Sequence, residues 1–128
     1  MSVYGIGIDV VEVARMAAAI QRHGESFLER LFTAAERSYC ESQSFTAPHY
    51  AARFAAKEAA SKALGTGIGS HAGWHDLEII PLPNGAPQLR LHGPAAAYAR
   101  DHAITSIHIS LTHSRNYAAA NAIASTSA

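Results

Sequence analysis

Residues 3–13 alternate between two sides of an extended chain. Val3, Gly5, Gly7, Asp9 and Val11 fall on one side, and Tyr4, Ile6, Ile8, Val10 and Glu12 on the other. Period-two spacing with β-branched residues predicts a strand. Two glycines before Asp9 predict free space around a carboxylate. Residues 13–23 change to helical spacing, with Gly24 expected as the stop. Thr33-Ala34-Ala35-Glu36 has capping-box spacing and opens a second helix to about Ser42. Pro48 suits a first helical position, and an alanine-rich helix follows to Leu64. A glycine-rich loop, Gly65 to Ser70, comes next. His75–Pro81 and Gln88–His92 read as strands joined by a turn at Pro83-Asn84-Gly85. Gly93-Pro94 begins a short helix through about Asp101. Ser106–Thr112 and Tyr117–Ser125 are expected as closing strands, the second weakly specified because alanine is a poor strand former.

A strand, then helices, then mostly strands predicts an α+β fold in one domain spanning residues 1–128. The composition, 48% hydrophobic and 16% charged, fits a globular chain. No apolar run approaches the roughly 20 residues that span a bilayer. The first residues lack a basic n-region and carry Asp9 and Glu12, so no cleaved leader is expected. Cys40 is the sole cysteine, which excludes an intrachain disulfide and suits a reducing cytoplasm. A formal net charge of zero argues against general nucleic-acid binding. Residues 1–62 carry seven of the ten Lys/Arg and seven of the ten Asp/Glu, so polar chemistry is expected there.

The segment Arg53 to Gly65 concentrates that chemistry. At about 100° per residue, Arg53, Lys57, Ser61, Glu58, Lys62 and Gly65 fall within one half-turn arc. Ala52, Ala56, Ala59, Ala60 and Ala63 fall opposite, where their small size permits close approach to a neighbour. One reading of the polar arc is a solvated face with a Glu58–Lys62 pair, worth only about 0.2–0.5 kcal/mol. The other is a polyphosphate and metal site, with cations offsetting phosphate charge and a carboxylate holding Mg²⁺. Mg²⁺ usually takes one or two protein carboxylates and completes its shell with phosphate oxygens and water. Asp9 is a candidate for the second carboxylate.

Two stretches are similar to the signatures of the holo-acyl-carrier-protein synthases, the short members of the 4′-phosphopantetheinyl transferases. Gly5-Ile-Gly-Ile-Asp9-Val-Val-Glu-Val-Ala-Arg15 resembles the first, and Arg53-Phe-Ala-Ala-Lys57-Glu58-Ala-Ala-Ser-Lys62-Ala-Leu-Gly65-Thr-Gly-Ile-Gly69 the second. Weaker similarity continues through Asp76-Leu-Glu-Ile, Asn84-Gly-Ala-Pro87 and His108-Ile-Ser110-Leu-Thr-His113, so nearly the whole chain is covered. The resemblance implies an antiparallel sheet packed with a long helix. It also implies transfer of the 4′-phosphopantetheine arm of coenzyme A to a serine of an acyl carrier protein, with adenosine 3′,5′-bisphosphate as by-product.

By the same resemblance, Asp9 and Glu58 hold Mg²⁺ and Lys62 stabilises charge on the diphosphate. Arg53 and Lys57 contact phosphate oxygens, and Gly65 and Gly67 line the coenzyme. His113, with Ser110 or Thr112, lies near the nucleotide. Glu58 or a metal-bound water is the candidate base for the serine proton. Arg15, Met16, Arg22, Ile20 and His23 form the docking helix for the acidic carrier. The resemblance further implies a cytoplasmic enzyme of fatty-acid synthesis and a homotrimer with active sites between subunits.

Other signals carry less. Gly5-Ile-Gly7 lacks the third glycine of a dinucleotide fingerprint, and Gly65–Gly69 lacks a P-loop ending. His71 and His75 have ligand-like spacing, but neither a His-Glu-x-x-His motif nor a cysteine partner accompanies them, so zinc is not expected. Most of the eight histidines are expected at the surface, with His113 the exception. Cys40 is expected as a half-buried thiol and Trp74 as a packing anchor. The different-class alternative is a nucleotide-binding or trimeric interaction module without turnover. The intact Asp9, Glu58 and Lys62 set favours an enzyme.

Overall fold

A computed structural model describes residues 1–127. Strand β1 (Ser2–Glu12) runs into helix α1 (Val13–Leu31), followed by α2 (Ala34–Glu41) and α3 (Thr46–Leu64). A turn of 3₁₀ helix at Trp74–Asp76 leads into β2 (Leu77–Pro81), β3 (Pro87–Leu91), α4 (Gly93–Asp101), β4 (Ile104–His113) and β5 (Tyr117–Thr126). The architecture is α+β. An antiparallel three-stranded sheet has the order β1-β5-β4, and β2 and β3 form a separate hairpin.

The long helix α3 packs across one face of the three-stranded sheet. Its alanines Ala56, Ala59, Ala60 and Ala63 are buried with Ala120, Ala122 and Ala124 of β5. The glycines of β1 serve that contact. A Cβ added at Gly7 would run into the Ala59 carbonyl, and one at Gly5 into the Ala63 carbonyl. This corrects the expectation that they clear space around Asp9: the space is filled by the helix backbone.

Three boundaries also differ from the sequence reading. Gly24, non-helical at φ 65° and ψ −147°, breaks the helix as expected, but a second helical segment follows directly and carries α1 to Leu31. Leu28 and Leu31 then join Val13, Met16 and Phe32 in a second core cluster, which offsets the cost of the kink. Helix α3 starts at Thr46, two residues before Pro48. Proline is tolerated there because amides of a first turn have no intrahelical acceptor. Trp74–Asp76 precedes β2 where the strand was expected to begin at His75. The capping box at Thr33 forms as expected, with Glu36 N donating to Thr33 Oγ1 and Thr33 N to Glu36 Oε1.

Candidate active site

Strand β1 and helix α3 bring Asp9 and Glu58 together. Both line a cleft of about 770 Å³ whose walls include Val10, Arg15, Met16, Phe54 and Trp74. Burial raises the Asp9 carboxyl above the usual carboxylate range against the pull of Lys62. Burial also raises Glu58, and the negative charge of Asp9 adds to it. Lys62, half-exposed, puts Nζ 3.6 Å from Asp9 Oδ1 and donates to the Ile8 carbonyl at 2.8 Å. One cation therefore stands beside two carboxylates. Among the described residues no group of three or more His, Cys, Asp or Glu side chains converges to hold a metal ion.

The polar arc of α3 is divided rather than shared. Glu58 lines the cleft and half-exposed Lys62 reaches Asp9 beside it, whereas Arg53, Lys57 and Ser61 are buried. Lys57 is 0% exposed, ion-paired to Glu36 at 2.8 Å, and donates to the Trp74 and Leu77 carbonyls at 2.7 and 2.9 Å. Its ammonium has no donor left for a ligand, which corrects the expectation of a phosphate contact. The wheel gave the angle of Lys57, but not that Glu36 of α2 packs against it.

Arg53 lines a second cavity of about 300 Å³ with Tyr39, His49, Thr112 and His113. Its guanidinium lies 4.1 Å from the centre of the Tyr39 ring. His113 is thus brought to Arg53, and of its two suggested companions Thr112 shares the cavity. Ser110 does not; it lies beside Ile8 and Asn121 in a shallow depression. Ser110 pairs with Asn121 on the open side of the sheet, the side Thr112 shares, and strand alternation sets both on the face opposite His113. Gly65 caps α3 in a left-handed conformation (φ 82°), and the positions of Gly65 and Gly67 open onto free space.

On α1, exposed Arg15 stands at the cleft while Met16 is buried in the core, so Met16 is a wall rather than a surface contact. Arg22 is exposed but lies outside the cleft lining; Arg30, which the sequence reading passed over, lies within it because the helix continues beyond Gly24. Trp74 stacks on Phe54 with ring centres 5.1 Å apart, and the pair lines the cleft. Cys40 is fully buried, its thiol pushed up to about 12 chiefly by burial. The largest omissions of the sequence reading are Glu36, legible there only as a capping residue, and His49.

A site of two carboxylates and a lysine between a strand and an alanine helix defines a class. The model of the 4′-phosphopantetheinyl transferase superfamily matches residues 5–122, and the chain belongs to that family. Within it the chain is a transferase of the holo-acyl-carrier-protein synthase type. It is 46% identical over 121 residues to such a synthase from Koribacter versatilis, covering 94% of this chain and 97% of the relative. The solved synthase of Neisseria meningitidis superposes with a TM-score of 0.91 at 27% identity, over 97% of this chain and 99% of that one. The Helicobacter pylori synthase, solved in complex with coenzyme A, gives 0.84 at 33% identity, over 94% and 99%.

Proposed function

We propose that the cleft carries out Mg²⁺-dependent transfer of the 4′-phosphopantetheine group of coenzyme A to a serine of an apo-acyl carrier protein. Holo-carrier and adenosine 3′,5′-bisphosphate are the products. The supporting observation is the meeting of Asp9 and Glu58 in one cleft beside Lys62. The Helicobacter pylori relative in complex with coenzyme A makes that coenzyme the substrate to test first.

Two neighbouring carboxylates, both raised above their ordinary range, suit a dication. The donor set fits Mg²⁺, which takes one or two protein carboxylates and leaves its other positions to phosphate and water. Mg²⁺ held by Asp9 and Glu58 supplies charge neutralisation on the diphosphate. Lys62 is free to turn from the Ile8 carbonyl to a phosphate oxygen. Arg53 holds a further phosphate, with His113 and Thr112 at the nucleotide end, and Gly65 and Gly67 leave open backbone along which the coenzyme lies. The serine Oγ attacks the pantetheine-side phosphorus, the bond to the adenosine bisphosphate breaks, and the serine proton passes to Glu58, directly or through one water.

Arg15, with Arg22 and Arg30, presents cations to an acidic carrier, and opposite charge speeds encounter at low salt. The open face of the sheet supports a homotrimer with sites between subunits: Ile6, Ile8 and Val10 are 68%, 64% and 61% exposed there. The row Val10, Ala119, Thr112 runs from the Asp9 cleft to the border of the Arg53 cavity. A neighbouring copy seated on that face spans both. In this reading the chain works as one domain, in the cytoplasm, serving fatty-acid synthesis. Among the described residues no helix is long and apolar enough to cross a membrane.

The test varies Mg²⁺. Asp9→Asn and Glu58→Gln are each expected to lose Mg²⁺-dependent turnover by at least about a hundredfold while retaining wild-type circular dichroism. Unchanged Mg²⁺ dependence in either variant refutes its metal role.

A further inference from the structure

Lys57 does not reach the cleft, yet the segment it holds forms one of the cleft walls. The approach to that segment carries Gly65, Gly67, Gly69 and Gly73, so few side chains fix its course. The 3₁₀ turn that follows is fixed by hydrogen bonds instead. Asp76 Oδ2 accepts from Gly73 N at 2.9 Å, and His75 Nε2 meets the Glu29 carbonyl of α1 at 2.6 Å. Toward α3, Lys57 grips both ends of the turn through the carbonyls of Trp74 and Leu77. Glu36 balances that buried ammonium. A shift of the turn along α3 would leave buried polar groups without partners, which is costly.

Trp74, so placed, stacks on Phe54 with the ring planes 25° apart. Phe54 stands one helical turn before Glu58, and between Ala51 and Ser61 these two residues alone are not buried. Side chains on a helix lean toward the preceding turn, which sets the Glu58 carboxylate against Phe54, with Trp74 behind. Lys62 follows one turn later. The stack thus closes one side of the space in which Glu58 turns, and Asp9 lines the same cleft.

We propose that the Trp74–Phe54 stack, anchored through Lys57, is a positioning element for Glu58 that keeps its carboxylate turned toward Asp9, where the two can share a dication. The dication rests on the metal reading above. Outer groups that orient metal-binding side chains typically govern affinity by about ten- to a hundredfold. A wall that served only to stabilise the fold would shift the melting temperature and leave the cation affinity of the folded protein unchanged.

The test measures binding of Mn²⁺, which shares the carboxylate and water preference of Mg²⁺, through loss of its free-ion electron paramagnetic resonance signal. The ion is titrated into the full chain without coenzyme A or carrier. Glu58→Gln is the control, expected to abolish the binding that belongs to the carboxylate pair. Trp74→Ala is expected to weaken Mn²⁺ binding about tenfold with wild-type circular dichroism. Trp74→Phe, which keeps a ring on Phe54, is expected to stay within about twofold of wild type. Glu36→Gln/Lys57→Met leaves no buried charge and releases the Trp74 carbonyl. It is expected to show the loss seen in Trp74→Ala, and readier quenching by acrylamide of Trp74, the sole tryptophan. Wild-type affinity in Trp74→Ala, an equal loss in Trp74→Phe, or a folded double variant with wild-type affinity and quenching overturns the positioning role alone. If the double variant does not fold, the two Trp74 variants decide. Mn²⁺ binding that is absent from wild type, or that survives Glu58→Gln, overturns the metal reading and the positioning role with it.

Discussion

Asp9 and Glu58 are costly neighbours in the free protein. Both carboxyls sit above the usual carboxylate range, burial being the main cause and Asp9 adding to Glu58. A carboxyl whose folded value is raised contributes fully to stability below its unfolded value, and that contribution is lost as pH rises through the folded value. At neutral pH the ionised pair therefore strains the fold, and a bound cation relieves it. Glu58→Gln is expected to raise the melting temperature of the metal-free protein by a few degrees at about pH 7, with the gain vanishing near about pH 4. Thermal scans at the two pH values check this; a lower melting temperature at neutral pH contradicts the assigned strain. Glu58 and Lys62 were legible in the sequence because both project from one face of a helix whose register is plain. Lys57 and His49 were not, since a wheel gives an angle without saying what packs there. Glu36 meets Lys57 from another helix, and His113 meets His49 from a strand.

At the level of elements, the close fit of β1 to α3 makes the site possible. The alternation of Gly5, Gly7 and Asp9 and the alanine face of the helix were both readable as pattern. That they meet backbone to backbone was not, because pairing between distant segments leaves no local signature. The continuation of α1 past Gly24 was hidden for a related reason: its stability comes from Leu28 and Leu31 in the core, not from local propensity. The Glu36–Lys57 pair ties these elements together. Glu36 Oε2 accepts from Ile79 N of β2 at 2.7 Å, while Oε1 accepts from Thr33 N and pairs with Lys57 of α3. Removing one partner leaves a buried charge, at a cost of about 3–5 kcal/mol. Glu36→Gln is expected to lose that much in urea denaturation. Adding Lys57→Met is expected to restore part of it, because the double variant leaves no buried charge. A loss below about 1 kcal/mol in Glu36→Gln contradicts the tie.

On the scale of the whole molecule, the three-stranded sheet is covered on one face by α3 and bears Ile6, Ile8, Val10 and Ile123 on the other. In one chain the Asp9 cleft and the Arg53 cavity are separate spaces. If a copy joins them across the open face, Glu58→Gln and Arg53→Gln subunits, each inactive alone, are expected to regain activity when co-assembled. Random mixing gives intact sites at up to about a quarter of interfaces, and no recovery contradicts sites shared between subunits. The most direct measurement is the mass of an apo-acyl carrier protein after incubation with this protein, coenzyme A and Mg²⁺. The predicted result is a gain of one phosphopantetheinyl group that requires Mg²⁺ and disappears with Glu58→Gln. An unchanged carrier mass with wild type across apo carriers, or a full gain with Glu58→Gln, contradicts the account.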